Sequence, residues 1–371
     1  MSNCETILNE LREQAEKNLT SFNIADKAAL EKLEYICRCI TNRAPVRLLM
    51  SCLLAKSDRP ELDPRKPYTE IGTDDSFSGR TYDEQYLTEF ITKNRLPCNS
   101  TTAFLTPALR NINRPLTPDI DIIGRPRDVY KNTLEILEMV YNGLIDCRSL
   151  FADVIRFLLI IRNENEVRIK TLLAGLRASR EPTHLSSEAI VKLIQQHLSC
   201  KNVSRLPVLI VAAALKSAED RLGEQVRSLQ PHTAADKQTG SLGDVEITLE
   251  NEDNVVTCYE MKLKSVTIND INIALKKFQN APQTDNYIFI TTEPVEDEVR
   301  NYADKTYDES GTEIAILDCI GFLRHFLHLF HRIRMDFLNE YQNLVLNEPN
   351  SAVSQSLKEA FLALRRALEE S

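Results

Sequence analysis

The sequence predicts a mixed α+β / α/β protein. A helical N-terminal region should be followed by a mixed β-sheet flanked by helices, and further helices should close the chain. Three observations carry this expectation. Apolar residues keep helical spacing over most of the first 200 positions, as at Ile7, Leu8, Leu11 and again at Leu30, Leu33, Ile36, Ile40. From about 201 to 320 the texture changes to short β-branched and aromatic runs separated by helical segments. After 320 the helical period returns.

In order along the chain, residues 1–60 read as helices, with 46–54 the most apolar of them, ending at Pro60. From 59 to 131 the periodicity fails. Prolines at 60, 64, 67, 97, 107, 115, 118 and 126 remove backbone donors and interrupt helices, so this stretch is expected as loops around short elements. Helical pattern resumes over 133–145, 150–179 and 187–198, the last with Ser186 or Ser187 as its N-cap. Residues 207–229 read as one long helix rich in alanine and leucine. Residues 245–249 and 255–263 alternate, with turn residues at 251–254 between them, which is a β-hairpin pattern. A helix (269–278), a strand (287–292), a helix (295–303) and a strand (313–317) follow, giving the order α-β-β-α-β-α-β. Helices over 320–345 and 354–368 finish the chain. The expected division is therefore 1–200, mainly helical and carrying the loop-rich 59–131; 201–320, the sheet-containing core; and 321–371, C-terminal helices. No period of 20–50 residues repeats, so a solenoid is not expected.

A length of 371 residues suggests two domains, or one with large insertions. Hydrophobic residues at 43% and charged residues at 27% are ordinary for a soluble globular protein. No apolar run approaches the roughly 20 residues of a membrane span, and the best candidate, 157–161, stops at Arg162. The opening Met1-Ser2-Asn3-Cys4-Glu5 lacks the basic start and apolar stretch of a signal peptide. A cytoplasmic protein with no membrane partner is the expectation. The nine cysteines are then read as reduced thiols. His325, His328 and His331 recur every three residues, and a helix face bearing histidines is favoured over a zinc site. The net charge of −9 and pI near 5.4 do not announce a nucleic-acid binder. Any case for one has to come from a site.

Such a site lies in the α/β segment. Gly243-Asp244 opens the first strand, and Glu260-Met261-Lys262 lies within the second, sixteen residues after Asp244. Strand residues two apart point to one face, so Glu260 and Lys262 share a face with Lys264 next in the row. Hairpin pairing would bring Asp244 beside them at an open end of the sheet. Two carboxylates suit Mg²⁺, with Mn²⁺ as substitute, because hard ions prefer oxygen ligands. A neighbouring lysine can stabilise charge developing on a phosphate or position an attacking water. Lys264 could take the place of Lys262, Glu246 could add an acid beside Asp244, and Glu219 and Glu224 on the preceding helix are candidates for an outer ligand. The competing reading is a half-exposed strand whose charges simply face water.

The runs Leu242-Gly243-Asp244-Val245-Glu246-Ile247 and Tyr259-Glu260-Met261-Lys262-Leu263-Lys264-Ser265-Val266 resemble the catalytic segment of type II restriction endonucleases of the PD-(D/E)xK superfamily, most closely the SacI-like family. Gly243 stands where that pattern usually has proline. The neighbourhood of Asp63-Pro64-Arg65 and the helical N-terminal half are similar to that family as well. The resemblance implies a PD-(D/E)xK nuclease core over 201–320 and a hydrolase that cuts both strands of double-stranded DNA at a short palindrome. Asp244, Glu260 and Lys262 would be its catalytic residues and Mg²⁺ its cofactor. It further implies a homodimer and a companion DNA methyltransferase in a restriction-modification system. Two other readings stand beside it: a repair or recombination nuclease that recognises DNA structure, and a non-catalytic helical protein that binds DNA or another protein.

Base reading needs Arg, Lys, Asn or Gln at groove edges, and the loop-rich stretch is the best supply. Between 95 and 131, Arg95, Arg110, Arg114, Arg125, Arg127 and Lys131 stand against Asp119, Asp121 and Asp128, a net +3 in an acidic protein. Arg110-Asn111 and Asn113-Arg114 are candidate base readers, and Arg80 is expected in a flexible loop suited to phosphate or groove contact. Ion pairing of these arginines with nearby aspartates on a solvated surface is the competing reading.

Overall fold

A computed structural model of the chain describes residues 3–99, 101–177, 185–230, 241–278, 284–311 and 313–370. The chain forms two compact units, Met1–Val167 and Arg168–Ser371. The division falls inside a long helix, well before the boundary expected near 200. Residues 187–198 and the helices after 320 pack with the sheet in one core, so 321–371 is not a separate region. The far end of the expected 150–179 helix lies outside the described residues.

The first unit is built on α1 (Asn3–Lys17), α2 (Lys27–Arg38), α3 (Ala44–Asp58) and α6 (Arg127–Tyr141), with short α4 (Gly79–Tyr82) and α5 (Thr88–Lys93) between, and the start of α7 (Cys147–Arg177). Helix α3 is buried at every position from Ala44 to Ala55. It has no polar face because neighbours surround it. Its Arg47 is fully buried and pairs with buried Asp83 at 2.5 Å. Arg47 also donates to Thr88 Oγ1 at 2.6 Å and to the Asn99 carbonyl, while Asp83 accepts from Thr102 Oγ1 at 2.7 Å and Ala103 N at 3.1 Å. This satisfied pair ties the loop-rich stretch to the central helix. That stretch carries more helix than expected, since α4, a π-turn over Asp83–Leu87 and α5 run on from one another.

The second unit holds a five-stranded sheet in the order β1 (Glu224–Val226), β2 (Val245–Leu249), β3 (Val255–Lys262), β4 (Asn286–Thr291), β5 (Glu313–Asp318). β1, β2 and β3 are antiparallel neighbours, whereas β3, β4 and β5 run parallel. The parallel steps use α10 (Ile268–Phe278) and α11 (Asp297–Ser310) as crossovers. Both pack on one face, where Ile271, Ala274 and Val299 meet Cys258, Tyr287, Phe289 and Ile316. The other face, with Val245, Ile247, Tyr259 and Ile290, packs with α9 (Leu206–Leu222), α12 (Cys319–Leu329) and α13 (Arg334–Asn347). The mixed sheet flanked by helices is as expected.

Two helices are shorter than their periodicity suggests. The helix expected over 207–229 ends at Leu222, because Gly223 takes a left-handed cap at φ 68°. The chain then starts edge strand β1, whose Val226 N donates to Glu219 Oε1 at 2.8 Å. Likewise 320–345 breaks at Phe330 into α12 and α13 through a 3₁₀ turn, His331–Ile333. Helices α8 (Ser187–Leu198) and α14 (Gln355–Glu369) begin where serines cap them: Ser186 Oγ accepts from Ala189 N at 3.1 Å and Ser354 Oγ from Leu357 N at 3.3 Å.

His197 of α8 is buried between Tyr341 Oη at 2.9 Å and the Leu357 carbonyl at 3.0 Å. The carbonyl can only accept, so Nε2 carries the proton and Nδ1 accepts from the tyrosine. Burial lowers the His197 pKa from 6.5 to about 4. A depressed histidine is neutral in the folded state and must be charged when unfolded at low pH. Its stabilisation is therefore complete above pH 6.5 and is lost as pH falls towards 4. Between pH 7 and pH 5 the second unit should lose about 2 kcal/mol from this group alone. Urea titrations of the parent and of His197→Gln at both pH values should give a smaller pH dependence for the variant, and equal slopes would refute the assignment.

Candidate active site

The site grows from the β2–β3 hairpin. Val245 pairs with Tyr259 and Glu246 with Cys258, which carries the chain before β2 alongside the end of β3. That approach is close at Gly243, where an added Cβ would lie 2.8 Å from the Tyr259 carbonyl oxygen. A side chain at this position would press on the neighbouring strand, which accounts for the glycine.

Asp244 follows directly. Its Oδ2 accepts the Met261 N–H at 2.8 Å, so the aspartate is held beside the residue between Glu260 and Lys262. Met261 packs against the core on the other face of the sheet, and Glu260 and Lys262 project from the opposite face towards α10. Both are partly buried, with side-chain exposures of 18% and 29%. Lys262 Nζ lies 3.2 Å from Glu260 Oε1 and 3.3 Å from Asp270 Oδ1. Burial disfavours its charge, but Glu260 and then Asp270 outweigh that and raise its pKa. Lys262 is therefore held as an ammonium. The Asp270 carboxyl is lowered: burial opposes ionisation, and hydrogen bonds from Thr267 with the charge of Lys262 overcome it.

Three of these neighbours were not anticipated. Asp270 sits in the first turn of α10, where Thr267 N and Oγ1 donate to its Oδ2 at 2.9 and 2.6 Å and Asp270 N returns a bond to Thr267 Oγ1 at 3.3 Å. This reciprocal cap is visible as Thr267-Ile268-Asn269-Asp270 and could have placed the helix start. Lys277, in the last turn of α10, reaches the Leu242 carbonyl at 3.0 Å and Glu260 Oε2 at 3.5 Å. Tyr287 Oη of β4 lies 3.2 and 3.1 Å from the same two acceptors, which share its single proton. Burial, then the Glu260 charge, raises the tyrosine pKa far above its ordinary range, so its hydroxyl stays a donor.

The accessory candidates fall elsewhere. Lys264 lies beyond the end of β3 and is exposed, so the shared row stops at Lys262. Glu246 shares the site's face, but its Oε1 accepts from Leu242 N at 2.6 Å and Ser241 Oγ at 3.0 Å, and Oε2 pairs with Arg227 at 3.3 Å. It fastens the turn that precedes Asp244. Glu224 is on β1 opposite Leu249, at the far end of β2 from Asp244 and on the sheet's other face. It does not join the site. Glu219 is engaged at Val226 N.

The arginine-rich candidates belong to the first unit. Arg110, Asn111, Arg114, Arg125 and Arg127 are all exposed. Arg127 comes within 3.7 Å of Asp121, but at 81% and 76% exposure that pair is worth little. Arg80 is not in a loop: it lies in α4 and pairs with Glu84 at 2.8 Å, one helical turn on. His328 pairs with Glu188 at 3.0 Å, and His325, His328 and His331 are all exposed. Helix α12 ends at Leu329 and His331 falls in the 3₁₀ turn, so the three do not share the one helix face expected of them. Among the described residues, no group of three or more His, Cys, Asp or Glu side chains is placed to hold a metal ion, and no helix is long and apolar enough to cross a membrane. No protein-family model matches the chain, and no curated protein matches it.

Proposed function

We propose that this protein is a Mg²⁺-dependent endonuclease of double-stranded DNA, with Asp244 and Glu260 as the ion's ligands and Lys262 as the assisting cation. The observation that carries this reading is the bond from Met261 N to Asp244 Oδ2. It puts one carboxylate at the shoulder of the strand segment that bears the other carboxylate and the ammonium. The donor set fits Mg²⁺, which binds through one or two carboxylates, keeps several waters and needs no protein cage. When bound, such an ion polarises a phosphodiester and lowers the pKa of water.

The protein's own groups have separable tasks. Lys262, held as an ammonium, donates to a phosphate oxygen and offsets negative charge as it develops; it does not take up a proton. Asp270 orients that ammonium from the helix side. Site-specific cleavage by a restriction enzyme of the SacI-like kind, acting as a homodimer beside a companion methyltransferase in the cytoplasm, is the finer form of the proposal, and the motif runs 242–247 and 259–266 support it. A structural salt-bridge network is the second reading, favoured by Lys262 bridging Glu260 and Asp270.

Incubation with supercoiled and linear duplex DNA decides between them. Cleavage should require Mg²⁺ or Mn²⁺, stop in excess EDTA, and fall by orders of magnitude in Asp244→Ala and Glu260→Ala. Cutting that persists in EDTA, or that survives both substitutions, would sink the nuclease reading.

The exposed arginines give a further expectation. Replacing a base reader, Arg110 or Asn111, should cost about 1–3 kcal/mol on a cognate duplex and little on a scrambled one. Replacing Arg125 or Arg127 as phosphate contacts should weaken binding to both alike and flatten the salt dependence. Titrations at two salt concentrations separate the patterns, and four variants that bind like the parent would place recognition elsewhere.

A further inference from the structure

We infer that Lys277 and Tyr287 are positioning residues that fix the spacing of the two carboxylates; this rests on the nuclease reading above. Both reach the same pair of acceptors, the Leu242 carbonyl and Glu260 Oε2: Lys277 donates to each, and Tyr287 shares its single proton between them. Leu242 lies two residues before Asp244 on the approach to β2, and Glu260 lies on β3. The two donors therefore join the backbone that carries Asp244 to the side chain of Glu260. They come from different elements, the last turn of α10 and the second residue of β4, so the link is braced from two directions. Glu246 fastens the same turn from below through Leu242 N and Ser241 Oγ. With Lys262 on Oε1 and with Lys277 and Tyr287 on Oε2, both oxygens of Glu260 are aimed by donors.

Side chains that orient metal ligands typically change ion affinity or activity by 10–100-fold when removed. Tyr287→Phe deletes one donor and keeps the buried ring; Lys277→Met deletes the other, and Lys277→Arg keeps the charge. The ion alone is the probe: Mn²⁺ and Mg²⁺ titrated calorimetrically into the full chain without DNA, beside thermal unfolding and cleavage measured against Mg²⁺ concentration. Both deletions are expected to weaken Mn²⁺ binding about tenfold and to raise the Mg²⁺ needed for half-maximal cleavage. Unfolding temperature should barely move, and Lys277→Arg should recover most of the loss. Parental ion affinity in both deletions overturns the inference, and so does a loss of affinity matched by a loss of fold in Tyr287→Phe and Lys277→Met alike. A parent that neither binds ions nor cuts DNA defeats the nuclease reading itself, which is a distinguishable result.

Discussion

Lys262→Ala is expected to lower DNA cleavage by on the order of 10²–10³-fold, the usual cost of removing one preorganised donor from a developing anion. Lys264→Ala should cut like the parent. The two lysines are one strand step apart, and pairing alternation alone gives them the same face. The structure separates them: β3 ends at Lys262, and Lys264 is exposed on the bend that follows. Lys262 is drawn inward by Glu260 at 3.2 Å and Asp270 at 3.3 Å. Duplex binding should survive Lys262→Ala better than cutting does, because the lost interaction strengthens only as charge develops. Single-turnover cleavage, binding and melting curves for both variants make the test. Normal cutting by Lys262→Ala with loss in Lys264→Ala would move the role one step along. A collapse of melting temperature without parental cleavage activity to lose would favour the structural network.

The second large effect concerns the first unit. Arg47→Met should destabilise it by roughly 3–5 kcal/mol, because the buried Asp83 carboxylate would be left without its counter-charge. Both side chains are fully buried, so water cannot take over. Asp83→Asn should also be costly, and the double variant should be less unstable than the sum of the singles, since it removes both charges together. Denaturant unfolding followed in this unit measures all three. A loss below about 1 kcal/mol in Arg47→Met would mean that the pair is dispensable, as exposed pairs usually are.

How much was legible in the chain follows from which forces act locally. The hairpin, the order α-β-β-α-β-α-β and the starts of α8 and α14 were readable, because alternation, turn residues and serine caps act over a few positions. Gly223 marks the end of α9 as a left-handed cap, but the helix expected from the sequence runs through it, because Val226 and Leu229 keep helical spacing with Leu222. The three-residue β1 is a strand only because β2 offers it an edge. The break at Phe330 has no proline or glycine to mark it. Residues 187–198 and those after 320 share one core, and no linker composition announces that; it arises from distant apolar faces meeting. Within the site, the shared face of Glu260 and Lys262 was legible because a period of two fixes it, and the approach of Asp244 because the hairpin turn sets the pairing. Lys277 and Tyr287 were not, since only the packing of α10 and β4 on β3 brings them to Glu260.

That packing bears on how the site is assembled during folding. Every side chain in it comes from a single contiguous stretch between Leu242 and Tyr287, and the two carboxylates come from one hairpin. Closing a short loop costs less chain entropy than joining remote segments, and the cost grows only slowly with each addition. Asp244 and Glu260 can therefore meet through local contacts, before the parallel pairing of β4 and β5 that requires crossovers. Lys277 and Tyr287 arrive with α10 and β4, so neutralisation of Glu260 on its second oxygen is coupled to completion of the sheet. Until the crossover docks, Glu260 has only Lys262 of its own strand as counter-charge, and its second oxygen is left to water.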